Sequence, residues 1–450
     1  MTGIANVKEL FTRNLRQSGI YIAFIAIVTL FTITTHGVLL KPENVSNLVL
    51  QYSYVLVLAV GMVIVIIGGH IDLSVGSVIV LASAVSAVLV IKHGMPWWVG
   101  VIAGIVVGLL VGAWQGFWVA FVGVPAFITT LAGMLLFRGA ALQVLNSVSL
   151  SPFPPQYQKI ANGFINGLLG GNGYDLFTVL IFALGVVGFV VSQIRARRTS
   201  IRYKQLVAAT PLFIAKLVAV GLVVMWFGWT LARAKGLPIV LLILGVIVLV
   251  YSVVTTRTVF GRHVYAIGGN LTAATLSGVK VKWVNFGIML NMGFLAGVAG
   301  VLFSSRTNGA QPSAGVGFEL DAIAAVFIGG AAVSGGVGRV SGALIGGLLV
   351  AVMSNGMQLM GIELPVQQMV KGLVLLLAVA STSTTSGVQA AASRRHPFSG
   401  EGPRASSGVG SFAAYGSGTP VRRSSSAISA ARASRLCTSG LGACSSRRFT

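Results

Sequence analysis

The stretch Asn47–Ser77, NLVLQYSYVLVLAVGMVIVIIGGHIDLSVGS, decides the class of this protein. Residues 48–67 carry no charged side chain and are long enough for one membrane-spanning helix, which needs about 20 mainly apolar residues. The run then breaks at Gly68-Gly69, passes through His70 and Asp72, and a second apolar run starts at Val75. Composition agrees with this local reading. Of 450 residues, 55% are hydrophobic and only 9% charged, with mean hydropathy +0.90. A soluble chain carries about 25% charged residues. Too few charges are present to coat a soluble fold, whereas a bilayer solvates apolar side chains directly. The expected fold class is an all-α polytopic membrane protein.

Working outward from this stretch, apolar runs fall at about 20–35, 48–67, 75–91, 97–121, 126–145, 177–193, 212–231, 237–254, 284–304, 321–337, 340–360 and 366–380. Several are short or broken by glycine, so ten to twelve spans are predicted. The first run follows Lys8, Arg13 and Arg16 with no small-residue cleavage site, and reads as an anchor and first span. Basic residues favour the cytoplasmic side. The N-terminal cluster, then Arg195, Arg197, Arg198, Arg202 and Lys204, then Arg257, Arg262, Lys280 and Lys282, are separated by even numbers of spans. All three fit one side, with the N-terminus cytoplasmic.

The net charge of +23 could suggest nucleic acid. The basic residues, however, gather between spans and form no separate basic helix, so no nucleic-acid partner is expected and lipid is. Cys437 and Cys444 are the only cysteines and lie in the tail, so they support no disulfide or metal framework in the spans. The five histidines show no ligand spacing, and no catalytic set or metal site is predicted. No Gly-x-x-x-x-Gly-Lys-Ser/Thr phosphate loop is present, so the chain is not expected to hydrolyse ATP.

Three stretches carry the functional reading. In residues 68–77, Gly69, His70, Asp72 and Ser74 are candidates for a translocation path, because ionisable groups in a membrane face a cavity or a partner. Asp72 reads equally as a cap on the following helix, and the two roles are compatible. The loop 255–282 contains a short helix-compatible centre, Leu271–Leu276, with Gly278 placed to end it. Such a helix outside the bilayer suits a groove on a soluble motor, although a solvated loop has the same composition. In residues 315–339, Glu319 and Asp321 open a span and read as docking or capping residues. Asn291 is a further polar candidate within a span. Most glycines read as tight packing, while Gly329-Gly330 and Gly335-Gly336-Val337-Gly338 read as helix breaks.

The motifs at 68–77, Phe260–Asn270 and Phe318–Val326 together strongly resemble the ribose/xylose branch of ABC-importer permeases, over most of residues 15–380. The insertion around 192–237 is most similar to the xylose and multiple-sugar permeases. The resemblance implies a type II importer fold and a subunit that forms the sugar pathway in the bacterial plasma membrane. It also implies a second permease copy, two ATP-binding subunits that hold ATP and Mg, and an extracytoplasmic sugar-binding protein. Gly261, Arg262, Asn270, Ala273, Ala274 and Gly278 match the coupling loop of that family. Thr272 stands where the family usually has an acidic residue, which weakens a specific ion pair but leaves packing intact. Two rivals are an ion-coupled secondary transporter, for which Asp72 would be the deep carboxylate, and a membrane enzyme, for which no constellation is present.

From residue 381 the composition changes. Residues 381–450 hold nine arginines, seventeen serines and no lysine. Low hydrophobicity with unbalanced charge is the signature of disorder. Ser381–Gly387 can also be written in codons that, read from one base earlier, spell Phe-Asp-Val-Tyr-Asn-Lys-Arg, an ordinary polar permease terminus. The domain expectation is therefore a transmembrane permease over 1–380 and a disordered or frameshift-derived tail over 381–450.

Overall fold

A computed structural model describes residues 15–203 and 210–394, with side chains described over 19–203 and 210–380. Of the predicted tail, residues 395–450 lie outside the described residues, while the backbone of 381–394 continues the last helix. Fifteen helices make up the described residues, with one two-stranded antiparallel pairing of Phe164–Ile165 and Leu237–Pro238. In chain order they are α1 (Leu15–Thr34), α2 (Pro42–Ile67), α3 (Val75–Ala87), α4 (Trp97–Phe117), α5 (Ala126–Leu145), α6 (Pro155–Asn162), α7 (Leu176–Arg202) and α8 (Thr210–Ala234). There follow α9 (Ile239–Arg257), α10 (Val259–Gly269), α11 (Leu271–Leu276), α12 (Val281–Thr307), α13 (Phe318–Ile328), α14 (Val340–Leu359) and α15 (Leu364–Arg394). Nine of the described helices are long and apolar enough to cross a membrane, counting the π-helical turns that extend α3 to Lys92 and α4 to Val122, and Gly19–Thr34 and Leu364–Ala380 are shorter apolar helices.

The centre of the bundle is α2, whose residues from Val55 to Ile67 are all buried. Beside it, α4 and α12 run antiparallel in close backbone contact. Gly104, Gly108, Gly112 and Gly116 recur every fourth residue and form one small-residue stripe on α4. A Cβ on Gly108 would lie 2.3 Å from the Gly293 carbonyl, and one on Gly293 would lie 2.3 Å from the Gly108 carbonyl. The backbones touch because neither residue has a side chain.

One predicted span is corrected. The expected helix over 321–337 is instead α13, an 11-residue helix that stops at Ile328. Gly330 (φ +87°), Gly335 (φ +81°) and Gly336 (φ +71°) then turn the chain through left-handed conformations that residues with a side chain rarely adopt. Eleven residues of helix span about 16 Å, roughly half the hydrocarbon thickness. The start of α13 sits beside the midpoint of α2, where the rings of Phe318 and Tyr54 are 4.6 Å apart. Its end packs on the first turn of α14, where Gly329 and Gly342 approach backbone to backbone. Glu319 and Asp321 therefore stand halfway along the bundle rather than at the outer end of a span.

The insert contributes α7 and α8, which pair with each other. Asp175 caps α7, accepting from the Thr178 amide (2.9 Å) and hydroxyl (2.5 Å) and from the Gly167 amide (2.9 Å). Burial opposes the charge, but these hydrogen bonds outweigh it and hold the carboxyl below the usual aspartate range.

Candidate functional site

Two regions meet where α2 ends: a polar track inside the bundle, and the α10–α11 segment outside the long helices. The track begins at the glycine break. Gly68 closes α2, and Gly69 (φ +82°) takes a left-handed turn into His70–Ser74. Asp72 is 2% exposed. Its Oδ1 accepts from the Ser74 amide (2.8 Å) and the Ser74 hydroxyl (2.7 Å), and Gln115 Nε2 of α4 donates to that same hydroxyl (2.5 Å). Thr130 of α5 donates to the Ile71 carbonyl (3.3 Å). The break is thus tied to α4 and α5 by separate hydrogen bonds, and Asp72 braces the start of α3 through Ser74.

The track continues upward. A Cβ on Gly76, in the first turn of α3, would lie 2.2 Å from the Gly315 carbonyl and 2.5 Å from Glu319 Oε2. The bare backbone of Gly76 is what admits the segment before α13. Glu319 Oε1 accepts from the Gly317 amide (3.2 Å). Asp321 pairs with Lys371 of α15 at 3.0 Å. Ser77 Oγ and Asn291 Nδ2 are buried without a hydrogen-bond partner among the described residues, while the His70 and Asn285 side chains face each other. Asn291 accepts from the Tyr251 hydroxyl of α9, and no hydrogen bond links it to the Asp72 group. Among the described residues no group of three or more His, Cys, Asp or Glu side chains is placed to hold a metal.

Sequence reasoning missed Lys371. The signal was present: it is a lone cation inside an apolar run, a pattern that marks a functional membrane residue as surely as a carboxylate does.

The α10–α11 segment is built from caps. The Thr258 hydroxyl accepts from the Gly261 amide (3.1 Å) to start α10, and Asn270 Oδ1 accepts from the Ala273 amide (2.9 Å) to start α11. Gly278 (φ +81°) ends α11, donating to the Thr275 carbonyl, while Val279 donates to that of Ala274. The short helix falls over Leu271–Leu276 as the sequence indicates. Ala274 is buried beneath it, whereas Thr272 and Ala273 are exposed and Leu276 is 85% exposed. Gly261 is buried, and a Cβ there would lie 2.3 Å from the Val254 carbonyl, so α10 folds back tightly on the end of α9. Arg262 is exposed on the outer face of α10.

The end of α10 touches both glycine breaks at once. The Gly336 amide donates to the Ile67 carbonyl (2.8 Å). Gly268 lies directly over that bond: a Cβ there would be 1.7 Å from the Ile67 oxygen and 2.6 Å from the Gly336 nitrogen. The Tyr265 hydroxyl donates to the Gly338 carbonyl (2.7 Å). Burial pushes this phenol above its usual range, with Arg339 opposing, so it remains a donor at neutral pH. Any displacement of α10–α11 is therefore imposed directly on the two breaks that flank the polar track.

Residues 44–379 match the family described as branched-chain amino acid transport system / permease component. Among curated proteins, the chain is 40% identical over 383 residues to the xylose transport system permease protein XylH of Escherichia coli, covering 85% of this chain and 95% of that protein. It is 39% identical over 366 residues to the protein of the same name from Haemophilus influenzae, covering 81% and 96%. It is 34% identical over 340 residues to the ribose import permease protein RbsC of Bacillus subtilis, covering 76% and 84%. No solved structure matches the chain. A helical bundle with broken spans, a polar track through it and a capped segment seated on its breaks belongs with these relatives: the chain is a member of this permease family, a membrane-embedded transport subunit and not an enzyme.

Proposed function

We propose that the chain forms the membrane pathway of an ATP-driven importer of monosaccharides of the xylose and ribose class. The observation that carries this reading is the seat of Gly268 on the Ile67–Gly336 bond. A segment with an exposed short helix outside the spans is wired by backbone contact to the breaks that line a polar track. That is the linkage a motor needs. The names of the relatives support sugar as the cargo, and the unpartnered polar atoms of Ser77 and Asn291 offer hydrogen-bonding capacity to a passing polyol.

In this reading ATP and Mg are bound by a separate ATP-binding subunit that grips α11 through Leu271 and Leu276. An extracytoplasmic sugar-binding protein delivers cargo to the opposite end. Two copies of the chain enclose the path in a bacterial plasma membrane, with the N-terminus and α10–α11 both cytoplasmic. ATP shifts access only by binding one conformation better than the other. Residues 381–450 are an out-of-frame tail: the family match ends at residue 379, next to the change of composition. Resequencing the gene around codon 380 tests this, and codons for Ser381–Gly387 that cannot spell the alternative frame would end the idea.

Co-purification tests the central reading. The ATP-binding subunit is expected to copurify with the chain and to be lost when the exposed Leu276 is changed to Asp. Undiminished association of L276D would remove α11 as the seat, and ATP hydrolysis by the chain alone would remove the division of labour.

A further inference from the structure

Beside the seat of α10 lies an open groove of about 620 Å³, a size that takes a small-molecule headgroup. Ser252 and Thr256 of α9, Arg262 and Tyr265 of α10, and Arg339 and Ser341 at the start of α14 line it. Arg339 also lines a neighbouring cavity of about 190 Å³, which it shares with Ile20 and Tyr21 of α1. Both guanidiniums are exposed. Neither meets a carboxylate, since the one ion pair among the described residues joins Lys371 to Asp321. Arg262 donates to the Arg257 carbonyl (3.3 Å), which leaves its charge unbalanced. The depth of the site is set by its walls. Ile20 stands where the apolar part of α1, Gly19–Thr34, begins, and the groove takes in the end of α9 and the start of α14. Three apolar helices thus start or stop at this level, as they do where hydrocarbon gives way to headgroups. Val253, Leu249 and Val246 lie three, seven and ten residues before Thr256 and share its face of α9. All three are exposed, so an apolar stripe leads from the groove along the span.

We infer that this groove binds an anionic phospholipid from the leaflet on the α10–α11 side, with Arg262 and Arg339 on its phosphate and an acyl chain along the α9 stripe. A guanidinium holds phosphate through two parallel N–H bonds, and basic pockets between spanning helices suit anionic headgroups. A free phosphate would gain nothing from the stripe. Arg262 belongs to α10, and Arg339 follows the second glycine break. A headgroup shared between them therefore ties α10 to that break, beside the hydrogen bond from Tyr265 to Gly338. The inference needs a membrane-embedded chain and stands apart from the importer reading.

Lipid retention by the purified chain tests the site. In nanodiscs of mixed phosphatidylglycerol and phosphatidylcholine, native mass spectrometry is expected to find phosphatidylglycerol enriched on the wild-type chain. R262Q and R339Q are each expected to lower that enrichment about fivefold, and R262K/R339K to keep most of it. R195Q/R198Q removes two exposed charges of α7 outside the groove and is expected to match the wild type. No enrichment on the wild type, an equal loss in R195Q/R198Q, or full retention by R262Q and R339Q would overturn the inference. Retention by those two variants together with loss of the ATP-binding subunit would assign the arginines to a protein carboxylate instead. Hydrogen exchange supplies a second readout. The α10 amides are expected to exchange more slowly in phosphatidylglycerol than in phosphatidylcholine, and R262Q is expected to abolish the difference. Equal exchange in the two lipids, or the same slowing by inorganic phosphate added to phosphatidylcholine discs, would also overturn it.

Discussion

Replacing Gly268 by Ala adds one methyl group at the point where α10 bears on both breaks. The new carbon would lie 1.7 Å from the Ile67 oxygen, and ordinary contact is about 3.4 Å, so the helix must retreat by roughly 1.7 Å or the Ile67–Gly336 hydrogen bond must open. Overpacking of this kind costs about 1–3 kcal/mol, and the hydrogen bond contributes about 1 kcal/mol. If that energy falls on the coupling between α10 and the breaks, it corresponds to a loss of about 5- to 150-fold. The assay is uptake by proteoliposomes holding the chain, its ATP-binding subunit and the binding protein, with ATP hydrolysis measured in parallel. Gly269→Ala supplies the control, because a Cβ on Gly269 meets nothing within 4 Å. G268A is expected to lose uptake by about tenfold while G269A stays near wild type at equal membrane abundance. Equal uptake by the two variants would refute the mechanical link.

Other perturbations follow from the same geometry. Asn270→Ala removes the cap of α11 and should cost about 0.5–2 kcal/mol of local helix stability, read as weaker stimulation of ATP hydrolysis by the sugar-loaded binding protein. Gly108→Leu should force α4 and α12 apart and lower the thermal midpoint in detergent, whereas Gly139→Leu, which faces open space, should not. Asp175→Ala should destabilise the start of α7 by about 0.5–2 kcal/mol. Because hydrogen bonds depress the Asp175 carboxyl, its contribution is present above the ordinary aspartate range and is lost as pH falls through the lowered value. Protease nicking of the 163–175 loop should therefore rise in acid for the wild type and be high at all pH values for D175A.

The spans were legible because bilayer thickness imposes length and apolarity, which composition reports directly in runs such as 48–67. The four-residue spacing of Gly104 to Gly116 was equally plain, although its partner on α12 became visible only in three dimensions. Leu271–Leu276 was readable because Asn270 and Gly278 punctuate it by local chemistry. By contrast, 321–337 looked like one span because Ala331-Ala332-Val333 continues the apolar run across the glycines. What stops the helix at Ile328 is the backbone turn after Gly329 and the contact with Gly342, neither of which composition reports. Helix α10 was hidden because its glycines at 261, 268 and 269 argue against helix, and tertiary packing against α9 and Ile67 overrides that preference. The polar track was half legible: Asp72, Ser74, Glu319 and Asp321 could be named from their surroundings, but the cation that pairs with Asp321 lies 50 residues away on α15.

The most direct measurement is solute uptake by sealed vesicles containing this chain with and without its proposed ATP-binding subunit and binding protein. We expect neutral-sugar uptake that requires both partners and ATP and that persists when proton and sodium gradients are collapsed. Uptake by the chain alone, driven by an imposed ion gradient and indifferent to ATP, would contradict it.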